Sequence, residues 1–289
     1  MTVTDVNVVK SAIFERPDDA NKGTLGSLLC VCGSYGMAGA AVMSAKGALR
    51  TGIGLAKCAL PRSIYPIVAQ TILESVYYSL NENADGRISK VNVPFLVSES
   101  CKSSATLVGC GLGVCDDTLK IVFSLIENST TPLVLDADAL NCVAKQPEIL
   151  LRKKAPIIIT PHPGEMSRLT GLATPLVNAE RERVALDFAQ KYGVVTVLKG
   201  AGTVIASPNG KVLVNPTGNS GMATGGSGDV LAGTIGGLVA QGMSCFEAAK
   251  AAVYLHGLAG DRYKEKYGEH GMMARDLIDS LQKIHQNGE

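Results

Sequence analysis

Pro132-Leu-Val-Leu-Asp136, a helical stretch over 139–150 and Ile157-Ile-Ile-Thr160 form the unit that sets the architecture. Both flanking runs are continuously apolar and do not alternate with polar residues. That is the pattern of strands covered on two faces by helices. The stretch between them is long enough for the helical crossover that parallel neighbours require. The theme repeats outward in both directions. Runs at 28–32, 55–60, 105–108, 194–198, 203–206 and 212–214 read as further strands. Segments 39–51, 116–128, 179–191, 229–241, 246–267 and 274–285 read as helices. The alternation predicts an α/β chain: a three-layer αβα sandwich around a mostly parallel central sheet. Asn209-Gly210, between the last two short runs, predicts a hairpin. Residues 1–21 read as an arm or first helix. With no linker, low-complexity segment or repeat, residues 1–289 read as a single domain.

Composition narrows the function. Lys and Arg total 27 against 26 Asp and Glu, a net charge of +1, which argues against electrostatic binding to nucleic acid or to an anionic membrane. Aromatic residues are 4% and Trp is absent, so recognition of single strands by base stacking is also disfavoured. The opening Met1-Thr-Val-Thr-Asp5 shows no basic segment leading into an apolar one. No apolar stretch reaches the ~20 residues of a membrane-spanning helix. The eight cysteines include no Cys-x-x-Cys pair, and several sit inside apolar runs. Free thiols in a reducing cytoplasm are the expectation.

In open parallel sheets the ligand lies beyond the C-terminal strand ends. There this chain places Gly33-Ser-Tyr-Gly-Met-Ala-Gly-Ala-Ala41, Gly109-Cys-Gly-Leu-Gly113, Asp136-Ala-Asp138, Thr160-Pro-His-Pro-Gly-Glu165 and Lys199-Gly200. The most informative stretch is Gly225-Gly-Ser-Gly-Asp229, with apolar Val230-Leu231 opening a helix. Gly225, Gly226, Ser227 and Gly228 would leave the first N–H groups of that helix open to a phosphate, forming an anion hole. Asp229 has two readings, a helix cap or a general base beside the phosphate. A helix N-terminus lowers its expected pKa.

The remaining candidates carry ordinary readings too. Gly109-Cys-Gly-Leu-Gly113 is a poor dinucleotide fingerprint, because Val114 stands where the last glycine would be. No phosphate-loop, HExxH or GxSxG motif occurs. His162, between two prolines, is rigidly placed at a strand end and is read as functional. His256 lies in a helix and is read as structural, with His270 and His285 at the surface. Glu165 either complements a helix dipole or holds Mg2+, directly or through water. Lys199 ends an apolar strand, where reaching phosphate oxygens is the better reading. At least one of Asp136 and Asp138 is expected to cap the helix that follows.

These motifs together resemble the ADP/ATP-dependent NAD(P)H-hydrate dehydratases of the ribokinase-like superfamily. The match is carried by Lys22-Gly-Thr-Leu-Gly26, Gly39-Ala-Ala41, Ala48-Leu-Arg-Thr-Gly52, Asp136-Ala-Asp-Ala-Leu140, Thr160-Pro-His-Pro-Gly-Glu165, Leu198-Lys-Gly200, Gly225-Gly-Ser-Gly-Asp229 and His256-Gly257. One departure is Cys110, where the family carries proline between two glycines. The resemblance implies dehydration of the S epimer of NADH or NADPH hydrate. ADP or ATP would phosphorylate the ring hydroxyl, and phosphate would then leave. It implies substrate contacts at Ala41, Gly111, His162 and Asp229, with Asp229 as the base. It implies adenine nucleotide along Lys199, Gly200, Ala201, Gly202 and Thr203 and at Gly228. Mg2+, a cytoplasmic homotetramer and a separate NAD(P)H-hydrate epimerase in the same pathway complete the implied picture. Two other readings remain open on the sequence: a ribokinase-like kinase of a small alcohol or vitamin precursor, and a nucleotide sensor without catalysis.

Overall fold

The computed structural model describes residues 18–287, with side chains to residue 283. The arm expected over 1–21 therefore lies almost wholly outside the described residues, as does the side chain of His285. Among the described residues the nine strands are β1 (Ser27–Val31), β2 (Leu55–Pro61), β3 (Val76–Leu80), β4 (Ala105–Val108), β5 (Leu133–Leu135), β6 (Ile157–Ile159), β7 (Val195–Leu198), β8 (Val204–Ala206) and β9 (Val212–Val214). They form one sheet in the order β3-β2-β1-β4-β5-β6-β7-β8-β9. The pairings from β3 through β7 are parallel, and β8 and β9 add antiparallel. The hairpin expected at Asn209-Gly210 joins β8 to β9.

The helices are α1 (Ala38–Leu49), α2 (Tyr65–Thr71), α3 (Val93–Lys102), α4 (Asp116–Asn128), α5 (Asp138–Val143), α6 (Pro163–Thr170), α7 (Thr174–Ala179), α8 (Arg181–Tyr192), α9 (Ser227–Ala240), α10 (Cys245–Tyr267) and α11 (Ala274–Asn287). Leu28, Cys30 and Cys32 of the first strand region face one core, under α1, α9, α10 and α11. Leu29 and Val31 face the other, under α3, α4, α5, α6 and α8. Both faces of each central strand are buried, which is why the strand sequences carry no period of two. The expected three-layer sandwich is what forms. None of the described helices is long and apolar enough to cross a membrane.

Three expectations change. The helix read over 139–150 ends at Val143, and a 3-10 turn, Pro147–Arg152, follows. Pro147 has no N–H to donate and clashes with the preceding turn. The helix read over 179–191 forms as α8, and α7 precedes it as a separate short helix that was not expected. β3 was not expected, because it is an edge strand whose outer residues are partly exposed and whose apolar run is interrupted.

α1 and α9 pack more closely than full-sized side chains allow. A Cβ on Gly233 would lie 1.9 Å from the Ser44 carbonyl oxygen, and one on Gly47 would lie 2.6 Å from that of Val230. This backbone-to-backbone seat fixes the N-terminus of α9 against the ends of β1 and β4.

Candidate active site

The strand-end segments meet at one edge of the sheet. Ahead of α9, Gly226 takes φ +90°, which a side chain would resist, and lets the chain turn into the helix at Ser227. The first turn of α9 offers unpaired N–H groups there. A Cβ on Gly228 would lie 3.5 Å from Lys199 Nζ, so the ammonium sits beside that turn. His256 of α10 is buried, with Nε2 3.4 Å from Ser227 Oγ. Burial pulls its pKa down to about 4, so it is a neutral buttress of the loop. The structural reading of His256 holds, with a placement under the glycine loop that sequence does not reveal. His270 is exposed.

Lys199 does not end at a bare phosphate site. Its Nζ donates to Asp136 Oδ1 at 2.7 Å and stands 3.8 Å from Glu165 Oε2. Burial opposes its charge, but the Asp136 and Glu165 carboxylates outweigh burial and raise its pKa. The expectation of a lysine meeting only phosphate or backbone is corrected: two carboxylates hold the ammonium in place before any ligand arrives. Asp136 is 1% exposed, and it also accepts from Thr160 Oγ1 at 2.6 Å and from the Cys110 thiol at 3.5 Å. It is not a helix cap, and Asp138 makes no capping bond either, since α5 has no side-chain cap. Asp138 instead accepts from Gly113 N at 2.8 Å, tying the end of β4 to α5. Ala137 between them has φ 47°, unique for a non-glycine among the described residues. The strained turn directs Asp136 to Lys199 and Asp138 to the β4 loop.

Asp229, in the first turn of α9, is the second correction. Its pKa is pushed up to about 7, first by burial and then by the charge of Asp136. The Cys110 hydrogen bond and the Lys199 ammonium work against the rise and lose. The helix terminus favours the anion, as expected from sequence, but desolvation and a second carboxylate are the larger effects. Ligand atoms of Cys110, Asp136 and Asp229 lie within 4.8 Å of one another. The Cys110 thiol is kept protonated by its bond to Cys32 and by burial.

His162 is the N-cap of α6. Its Nδ1 accepts from Gly164 N at 2.9 Å and Glu165 N at 3.3 Å, while its own N–H donates to Glu165 Oε2 at 2.7 Å. This capping box uses up Nδ1 as an acceptor, so the neutral ring carries its proton on Nε2. Nε2 lies 3.5 Å from Glu165 Oε1 in a half-exposed side chain. On the other side, Gly111 (φ +62°) presses on α1, where a Cβ would come within 2.7 Å of Ala40 Cβ. Ala41 is 2% exposed and packs beneath this contact.

The Lys199–Thr203 segment is the turn between β7 and β8. Thr203 Oγ1 donates to Gly200 O at 3.0 Å, and the Arg181 guanidinium donates to Leu198 O at 2.9 Å and Gly202 O at 3.4 Å. A cleft of about 650 Å³, lined by Arg181, Ala201, Gly202, Val204 and Val214, opens on the outer side of this turn. Sequence reasoning placed Asp136 among the strand-end residues but read it as a candidate helix cap, and it missed Arg181. The signal for Asp136 was its place at the end of a buried strand. Arg181 begins a surface helix and gives no such signal.

The comparisons agree with this assembly. The family model described as NAD(P)H-hydrate dehydratase matches residues 28–283. The ADP-dependent (S)-NAD(P)H-hydrate dehydratase of Bacillus subtilis is 31% identical over 283 residues, 97% of this chain and 96% of that protein. A structure of the ADP/ATP-dependent NAD(P)H-hydrate dehydratase from Bacillus subtilis, co-crystallized with ATP/Mg2+, superposes with a TM-score of 0.85 at 31% identity, covering 99% and 98% of the two chains. The bifunctional NAD(P)H-hydrate repair enzyme Nnr of Moorella thermoacetica is 40% identical over 280 residues, 97% of this chain but 53% of the relative. The chain thus spans about half the length of the curated bifunctional relatives it matches. Matched over nearly its whole described length, with strand-end motifs converging at the C-terminal ends of a mostly parallel sheet, the chain belongs to the NAD(P)H-hydrate dehydratase family.

Proposed function

We propose that this chain dehydrates the S epimer of NADH or NADPH hydrate, using ADP or ATP as phosphoryl donor. The observation that carries the reading is the juxtaposition of Asp229 with an ammonium locked at the start of α9. The α9 N–H groups and Lys199 would hold the transferring phosphoryl group, with the nucleotide running out along Lys199–Thr203. Hydroxide is a poor leaving group, and phosphate is a good one. The hydrate hydroxyl oxygen bonds to the terminal phosphorus, the bond to the leaving nucleotide breaks, and the hydroxyl proton passes to Asp229. Next the C–O bond to phosphate breaks and a proton leaves the adjacent ring carbon. The ring double bond returns, with phosphate and AMP or ADP as the other products.

His162 offers an Nε2–H and is therefore a donor to a substrate oxygen, not a base. Gly111 and Ala41 form the close wall on the opposite side. Mg2+ fits the donor set: buried Glu165 and Asp136 are hard oxygen donors converging on Lys199, suited to holding a hydrated ion through water. Glu165 would hold it, and the ion would neutralise phosphate charge. The Cys110 thiol is too soft to be a useful ligand for it. A homotetramer and a cytoplasmic location go with this reading. The partner activity it calls for is an epimerase that supplies the S form.

The test is recovery of NADH-band absorbance from chemically prepared hydrate, with ADP and ATP compared and phosphate release measured alongside. A stable phosphate ester without recovered NADH would identify a kinase. Nucleotide binding with no phosphate release would identify a sensor.

Two further outcomes follow from the site. kcat/KM for hydrate should rise with pH through about 7, the free-enzyme value to which Asp229 is pushed, because only the ionised carboxylate accepts a proton. In Asp136→Asn the rise should move to lower pH, since a neighbouring negative charge has gone. A profile flat from pH 5.5 to 8.5 would exclude Asp229 as the titrating base. Gly228→Ala should melt like the parent, because its Cβ meets nothing closer than Lys199 Nζ. The methyl would crowd the phosphoryl seat, and turnover should fall at least about tenfold. Melting scans and rates on the same preparation check both halves.

A further inference from the structure

Two adenine-bearing molecules must occupy this site together if the dehydratase reading holds, and the β7–β8 turn can seat only one. β4 lies three strand intervals from β7 in the sheet, about 14 Å away. The reacting ring, near Asp229, Cys110 and Gly111, must pass the rest of its dinucleotide along residues 109–113. The walls of that run are unusual. Ser34 Oγ donates to Gly111 O at 2.8 Å, Met37 N to Ser34 O at 2.8 Å, and Tyr35 N to Gly86 O at 2.9 Å. The loop after β1 is thus pinned at three points. Yet Tyr35 is 74% exposed and Met37 is 50% exposed.

The base of the Tyr35 side chain lies against Gly86, where a Cβ would lie 2.4 Å from Tyr35 Cβ and 3.3 Å from its Cγ. Met37 Cβ lies 3.0 Å from where a Cβ on Gly111 would be. Arg87 crosses Gly113, whose added Cβ would meet its Nε at 2.5 Å. The Arg87 guanidinium meets Asp85 at 3.0 Å, but that carboxylate is 68% exposed, and such surface pairs are weak enough for a phosphate to displace. A solvent-facing aromatic on a backbone-pinned loop, a flexible thioether and a loosely held guanidinium thus stand beside residues 109–113.

We propose that Tyr35, Met37 and Arg87 seat the non-reacting half of the dinucleotide hydrate. The adenine ring stacks on Tyr35 with Met37 at its edge, and a phosphate of the dinucleotide meets Arg87. This rests on the dehydratase reading of the site. It makes these residues determinants of substrate size and leaves the phosphoryl chemistry to Asp229 and Lys199.

The test compares kcat/KM for two prepared hydrates, that of NADH and that of reduced nicotinamide mononucleotide, which lacks the adenylate half. The parent enzyme should prefer the dinucleotide. Tyr35→Ala and Arg87→Ala should each cut that preference roughly tenfold, the usual weight of one base stack or one phosphate contact. Tyr35→Phe should keep it. A preference that persists in both alanine variants, including one where both hydrates lose rate alike through a damaged loop, would overturn the subsite. A parent enzyme that turns over neither hydrate would overturn the dehydratase reading itself, and the subsite with it.

Discussion

Asp229→Asn should lower kcat by about 10²–10⁴, the weight of a general base, with nucleotide affinity little changed. Asn keeps the shape of the side chain and removes its basicity. Phosphoryl transfer has a loose transition state in which the hydroxyl gives up its proton late. A base whose pKa is pushed up to about 7 is better matched to that task than an ordinary aspartate. The same shift sets the sign of the stability change. Folded Asp229 binds its proton more tightly than the unfolded residue does. Its contribution to stability is therefore present at low pH and declines as pH rises from the usual aspartate range through about 7. Asn stays neutral throughout, so the variant should melt like the parent near pH 4 and higher than the parent at pH 8. Steady-state rates, a nucleotide titration and melting at the two pH values settle it. Near-parental turnover would reduce Asp229 to a helix-start residue.

Gly233→Ala should destabilise the protein by about 3 kcal/mol, at the upper end for an overpacked core. Helix propensity alone favours alanine by about 1 kcal/mol. The clash decides the sign, because the new methyl would fall 1.9 Å from the Ser44 carbonyl oxygen and α1 and α9 would have to separate. Separation would also move Gly228 and Asp229 away from Lys199, so activity should fall with stability. Gly39→Ala provides the contrast. Gly39 is an exposed residue of α1 with nothing within 4 Å of an added Cβ, and the same substitution there should be neutral or stabilising. Urea unfolding of the two variants measures both signs, and equal effects would refute the close-packing argument.

Much of this molecule is local. Ile157-Ile-Ile and Ala105-Thr-Leu-Val read as doubly covered strands because burial on both faces leaves no polar positions in them. Asn209-Gly210 announces its hairpin, and the glycine loop announces the turn into α9, because such turns demand particular residues. Where local signals conflicted or were diluted, the reading slipped. The exposed edge strand β3 gave no continuous apolar run to read, and Pro147 ended a helix that the apolar pattern had carried on.

The chemistry divides along the same line. Sequence alone determined the layered sheet, the strand ends at which the candidate residues gather, and the identities of Asp229, Lys199, His162 and Glu165 as candidates, because strand ends and helix starts are fixed by nearby residues. Tertiary structure decided what those residues do electrostatically. Asp136 and Lys199 are 63 positions apart in the chain and 2.7 Å apart in space. Asp229, on a helix, loses most of its water on burial and faces Asp136, a carboxylate from the end of β5. A pKa depends on burial and on the distance to every nearby charge, and neither quantity exists until the strands have been laid side by side.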